Sequence, residues 1–205
     1  MCYPLIVLVF VGIEGRAYFA AAAISLSKSS HLEKGRFMPG QVYMQSGWVV
    51  RDLIAAAQSW LAMGVGPFFI IPKVEASEFQ YRGSTASLNI GVALAQAGGI
   101  QIELIQPNDD SPSPYRDMFP HGEGFHHFAA LVDDLDAALE LRRSQGSLVA
   151  RGVSGDMDFA YLDTRDHIGC MTELMQPGPE VQALFAMIDE SSRSWNGADP
   201  IRFLG

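Results

Sequence analysis

The amino-acid sequence predicts an α+β fold of two tandem βαβββ modules, residues 42–107 and 125–177, with a C-terminal helix and tail over 178–205. Three observations predict it. The stretch "IELIQP" at 102–107 returns as "TELMQP" at 172–177. "QSGWVVRDLIAAA" at 45–57 lies over "HFAALVDDLDAAL" at 127–139, with an Asp-Leu pair, two alanines and a preceding valine in matching places. The copies are offset by 82 at the Asp-Leu pairs and by 70 at the Glu-Leu pairs, so the first is 12 residues longer. The polar stretch "KVEASEFQYRGST" (73–85) is predicted to hold the excess as a loop. A repeated supersecondary unit outranks any single local propensity as a guide to fold.

Each module begins with an apolar strand, 42–50 or 125–132. Asp52 and Asp134 then stand where an N-cap belongs, because a short carboxylate accepts from the unpaired N–H groups of a first helical turn. Amphipathic helices follow over 53–62 and 135–144, and Gly64 and Gly146 are predicted as their C-caps. Three extended runs complete each module: 67–72, 86–96 and 100–107 in the first, 148–152, 157–163 and 169–176 in the second. "AGG" (97–99) is a tight turn. "PGPEVQALFAMIDESS" (177–192) reads as the closing helix.

Residues 1–41 match neither module and are predicted to be an extension, disordered or lying ahead of a true start at Met38 or Met44. Their apolar run, "MCYPLIVLVFVGI", is too short to span a bilayer, and no basic n-region precedes it. Hydrophobic residues make up 48% of the chain, enough for a core, and the net charge is −9. Without a basic patch, a nucleic-acid surface is excluded, as is a membrane partner; a small molecule is the expected one. Cys2 and Cys170 form no paired motif, which fits a reducing cytoplasm.

The repeat singles out four side chains. Seven residues before the capping aspartates stand Gln45 and His127, and the two repeated strands carry Glu103 and Glu173. All four lie within apolar strands. By alternation Glu103 shares a face with Gln101 and Ile105, Glu173 with Met171 and Met175, and His127 with Phe125 and Ala129, while His126 points the other way. If the modules curve around a common axis, the four groups meet in one cleft. Two buried carboxylates repel each other unless a cation lies between them, and oxygen and imidazole donors suit Zn²⁺, Ni²⁺, Co²⁺, Mn²⁺ or Fe²⁺. The plainer reading is a strand glutamate on a solvated face and a histidine packed in the core. Arg82, Arg116 and Arg151 are candidates for a substrate anion or for surface solubility. Tyr81 and Tyr115 can line a mouth or pack. Phe125 and Met171 are cleft wall or core.

"GEGFHHFAALVDDLDAAL" and the two "xELxQP" strands resemble the vicinal oxygen chelate superfamily, the fold of glyoxalase I, methylmalonyl-CoA epimerase, extradiol dioxygenases and bleomycin or fosfomycin resistance proteins. The resemblance runs from 43 to 177; "GVGPFF", "YRG", "PYRDMF" and "SWNGADPIR" are similar to features of its glyoxalase-like branch. It implies a curved mixed sheet around a shared cleft and one ligand on the first and last strand of each module. Here those are Gln45, Glu103, His127 and Glu173. This set resembles that of glyoxalase I more than that of epimerases with histidine on the first strand, and one histidine counts against an extradiol dioxygenase. The implied activity is a divalent-metal-dependent lyase or isomerase that enolises a small chelated carbonyl substrate, with Glu173 as base and Glu103 as alternative. The resemblance also implies a homodimer, with the site inside one chain or across two. A binding protein without chemistry is the other reading.

Overall fold

The computed structural model describes residues 7–13, 16–22 and 41–204. The N-terminal unit holds an antiparallel hairpin, β1 (Val7–Ile13) and β2 (Arg16–Ala22), with Val7 opposite Ala22. The other expectations about residues 1–41, including a start at Met38, fall outside the described residues.

The second unit contains the repeat. Its first module is β3 (Tyr43–Val49), α1 (Leu53–Ala62), β4 (Phe68–Glu75), β7 (Asn89–Ala97) and β8 (Ile100–Pro107), interrupted by β5 (Ser77–Tyr81) and β6 (Ser84–Thr85). The short helix α2 (Pro114–Met118) links it to the second module: β9 (Gly124–Leu131), α3 (Leu135–Arg142), β10 (Ser147–Ser154), β11 (Met157–Asp163), α4 (Arg165–Ile168) and β12 (Met171–Pro177). Helix α5 (Pro179–Arg193) and strand β13 (Ile201–Phe203) close the chain. The strands form one eleven-stranded mixed sheet in the order β13-β4-β7-β8-β3-β9-β12-β11-β10-β5-β6. Within each module the first and last strands pair in parallel, β3 with β8 and β9 with β12, and the modules join through the antiparallel pair β3–β9.

The repeated hexapeptide acquires a residue-by-residue explanation. Leu104 and Leu174 face outward into the clusters under α1 and α3, packing with Leu53 and Ala57 or with Leu135 and Ala138. Asp52 and Asp134 accept from Ala55 N and Ala137 N, both at 2.9 Å, as the helix caps the sequence predicts. The motif glutamines add a second cap: Gln106 Oε1 accepts from Leu53 N at 2.8 Å and Gln176 Oε1 from Leu135 N at 2.7 Å. Each copy therefore fastens its own helix to its own last strand, satisfying N–H groups that a helix leaves unpaired. The glutamate faces the other way.

Two expectations are corrected. Residues 73–85 are not a loop: β5 leaves the first module and pairs antiparallel with β10 of the second, and β6 pairs with β5. The polar composition of this stretch belongs to an edge of the sheet, where one side of a strand stays in water. Gly64 has φ +86° and ends α1 as predicted, whereas Gly146 lacks a left-handed φ. Glycine is required there for space, since a Cβ would lie 2.5 Å from the Asp163 carbonyl oxygen. The concave face carries a buried apolar cluster. Phe79 of β5, Tyr115 of α2 and Ile188 of α5 are buried in the same cluster as Ile105, Ala129, Met171 and Met175. No described helix is long and apolar enough to cross a membrane.

Candidate metal centre

The four central strands, β8-β3-β9-β12, each carry one of the four residues picked out by the repeat. Gln45 is opposite Gln101 and Ala129, Gly47 is opposite Glu103 and His127, and Ala129 is opposite Glu173. Opposed residues in a sheet share a face, so all of these side chains project toward the concave side. The register is also symmetric. Gly47 stands beside Glu103 in the parallel pair β3–β8 as Ala129 stands beside Glu173 in the parallel pair β9–β12.

The side chains converge. His127 Nε2 lies 3.0 Å from Glu173 Oε2 and 3.3 Å from Glu103 Oε2. One ligand atom from each residue lies within 4.8 Å of the others. The His127 side chain is fully buried, Glu173 is 5% exposed and Glu103 is 15% exposed. Although ion-pair close, none of these three atoms has a directed hydrogen bond, and neither does the buried Oε1 of Gln45. Gln45 is held by its amide nitrogen, which donates to Gln101 Oε1 at 2.8 Å. An imidazole nitrogen, two carboxylate oxygens and an amide oxygen, all buried and without hydrogen-bond partners, form a donor set that fits a divalent cation. All four come from one chain.

Gly47 makes the convergence possible. A Cβ at this position would lie 1.9 Å from His127 Cε1 and 2.5 Å from its Nε2. The imidazole occupies the volume that any side chain on β3 would take.

Electrostatics record the same crowding. Burial disfavours the His127 imidazolium, but Glu173 and Glu103 outweigh it and raise its pKa to about 9. Burial also raises the Glu103 carboxyl, opposed by its contact with His127 and reinforced by Glu173. His126 moves the other way: burial and the neighbouring His127 lower it to about 3. A raised pKa contributes stability that disappears as pH rises through it; a lowered histidine pKa contributes stability that disappears as pH falls below the unfolded value of about 6.5. The metal-free chain is therefore expected to be most stable near pH 6.5, losing stability through His127 as pH rises from there toward about 9 and through His126 as pH falls toward about 3. Each histidine contributes a slope of at most about one proton between its unfolded and folded pKa and none beyond. Denaturant melts across pH check it; a His127→Gln variant should flatten the alkaline limb, and an unchanged limb contradicts the assignment.

Sequence alternation misplaces His126. Between Gly47–His127 and Trp48–Phe125 the register shifts by one residue on β9, so His126 is a bulge. It turns inward, its Nδ1 2.9 Å from His127 Nδ1 and its Nε2 3.1 Å from the Pro114 carbonyl. The same shift carries Phe125 away from the cleft, to pack on Trp48 at 5.2 Å and Phe128 at 4.8 Å between ring centres. Met171, opposite His127, is fully buried beneath the site. Tyr115 is buried and packs on His126, and its hydroxyl is 3.0 Å from that of Tyr161. Tyr161 was not singled out from the sequence. It lies opposite Glu173 on β11, its ring 5.2 Å from His127, and only the β11–β12 register reveals it. Burial first, and Glu173 second, push both phenol pKa values upward.

The arginines pair with nearby carboxylates. Arg82, with φ +49°, pairs with Asp117 of α2. Arg116 donates to the carbonyls of Pro120 at 3.1 Å and Asp109 at 2.9 Å, and lies 3.2 Å from Asp110. Arg151 meets Asp136 at 3.1 Å. Among the described residues none of the three makes an ion pair or hydrogen bond with Glu103, His127 or Glu173.

Two βαβββ modules joined through their first strands, with a polar side chain on the first and last strand of each, define a tandem-module α+β protein. The sequence profile of the Glyoxalase/Bleomycin resistance protein/Dioxygenase superfamily matches residues 44–161, more than half of the chain, and the chain belongs to that superfamily. It is similar to an uncharacterized protein of Bacillus subtilis (strain 168), YqjC, with 28% identity over 104 residues, 48% of this chain and 74% of that protein. Among solved structures, methylmalonyl-CoA epimerase from Mycobacterium tuberculosis aligns with 74% of this chain and 99% of its own, at 20% identity and a TM-score of 0.48. A variant of Streptomyces coelicolor methylmalonyl-CoA epimerase in complex with 2-nitronate-propionyl-CoA aligns with 67% and 94% of the two chains, at 20% identity and a TM-score of 0.43.

Proposed function

We propose that this protein is a divalent-metal-dependent lyase or isomerase, of glyoxalase or epimerase type, that enolises a small carbonyl substrate bound through two adjacent oxygens. One observation carries the reading: the donor atoms of Gln45, Glu103, His127 and Glu173 are buried without directed hydrogen bonds, and three of them converge within 4.8 Å. Such an arrangement costs stability unless a cation compensates it, and groups of this kind concentrate at functional sites. A bound divalent ion supplies Lewis-acid polarisation of the substrate carbonyl.

The chain's own residues would hold and move the proton. A carboxylate takes it from the carbon beside the carbonyl and returns it to another position or the opposite face. The sequence points first to Glu173. The surroundings favour Glu103, which keeps the larger exposure and whose pKa is raised by burial. Tyr115 and Tyr161 stay protonated beside the site and exclude water from it. The intact ligand set supports an enzyme over a binding protein without chemistry.

The test is titration of the full chain with Co²⁺ or Zn²⁺, then ¹H NMR of malonyl-type and α-hydroxycarbonyl C–H acids in D₂O. Tight binding of one ion and metal-dependent C–H exchange are expected. Ligands must shed their protons to bind, so binding should release at least one proton at pH 7, read as a dependence of the calorimetric heat on buffer ionisation. Full C–H exchange in metal-stripped protein would overturn the metal requirement.

A further inference from the structure

We propose that His126 is a positioning residue that sets the direction of the His127 ring, an inference that rests on the reading of residues 45, 103, 127 and 173 as a metal centre. The argument starts from the hydrogen-bond chain. The Pro114 carbonyl can only accept, so the contact of 3.1 Å requires the proton on Nε2 of His126. The next contact joins two ring nitrogens, His126 Nδ1 and His127 Nδ1, at 2.9 Å, and one of them must carry the hydrogen.

Counter-charge decides which. His126 is fully buried and meets a carbonyl, another imidazole and two tyrosine rings, so a second proton on it has nothing to balance its charge. His127 faces two carboxylates. The hydrogen therefore belongs to His127 Nδ1, and His126 Nδ1 accepts it. With Nδ1 so committed, the ring of His127 presents Nε2 to the space between Glu103 and Glu173. A neighbour that holds the far nitrogen of a metal-binding histidine is a general requirement of such sites, filled elsewhere by a carboxylate, carbonyl or water. Here it is an imidazole, and the β-bulge makes that possible: without the register shift between Gly47 and Trp48, position 126 would face the helices. Pro114 ties the arrangement to the linker between the modules. The tyrosines that sandwich His126 keep it dry, and a plain core histidine would need only them.

The first experiment uses ¹⁵N-labelled full-length wild-type protein without metal. A ¹⁵N–¹⁵N coupling through the hydrogen bond, joining the Nδ1 atoms of residues 126 and 127, is expected, with His126 protonated at Nε2. A proton on His126 Nδ1 overturns the proposal whether or not metal binds. The second experiment measures Zn²⁺ affinity by chelator competition. His126→Leu should weaken it 10–100-fold. His126→Asn, whose Oδ1 takes the place of Nδ1, should restore most of it. A folded His126→Leu variant with wild-type affinity, or His126→Asn as weak as leucine, overturns the proposal. Wild-type protein that binds no Zn²⁺ defeats the metal-centre reading instead, and the coupling still decides the role of His126.

Discussion

Alanine at position 47 is expected to weaken divalent-metal binding by more than about 100-fold and to cost about 1–3 kcal/mol of stability, as overpacking of a tight interior does. The added carbon would lie 1.9 Å from the His127 ring, far inside contact distance. The ring has nowhere to go. Its Nδ1 is held by His126, Tyr161 packs against it edge to face, and its Nε2 lies against two carboxylates. Strand β3 cannot retreat either, because it is paired on both sides at the junction of the modules. The result is either a displaced imidazole, which removes one ligand, or a broken β3–β9 register, which separates all four. Denaturant melts and metal titration of Gly47→Ala measure both effects. A variant with wild-type affinity would show that His127 is not held where its neighbours place it.

Neutralising the carboxylates is expected to have the largest effect on chemistry. The variant that removes the base should lose 10²–10⁴-fold in the rate of metal-dependent C–H exchange, the usual range for a positioned general base. Glutamine preserves shape and an oxygen ligand, so Glu103→Gln and Glu173→Gln should both fold. The base is the residue whose glutamine variant keeps the metal but loses exchange. Glu103 has the greater exposure, so the larger loss is expected there. Equal, near-wild-type exchange in both variants would remove carboxylate base catalysis from the account.

The repeat made much of this legible in the sequence. Two copies of a six-residue strand and two Asp-Leu helix starts were enough to draw the modules, both N-caps and the four polar positions, because symmetry converts spacing into three-dimensional equivalence. What escaped depended on pairing. The strand character of 77–81 comes from β10, a partner about 70 residues away in the chain, and 84–85 pairs back onto it, with no local signature for either. His126 looks outward by simple alternation and turns inward because of a bulge that only the β3–β9 register shows. Phe125 leaves the cleft for the same reason. Tyr161 needed the register of β11 on β12. The extra glutamine caps of α1 and α3 stood in the motif from the start, but their role requires knowing that each module's last strand ends beside its own helix.

The central claim is that one chain gathers an amide, an imidazole and two carboxylates around a place for a cation. Anomalous diffraction from crystals of the full chain grown with Co²⁺ tests it most directly. The account predicts one strong peak within about 2.0–2.2 Å of His127 Nε2 and of oxygens from Glu103 and Glu173, with Gln45 Oε1 turned toward it. A saturated crystal whose cobalt lies elsewhere, with His127 still wedged directly against both glutamates, would contradict it.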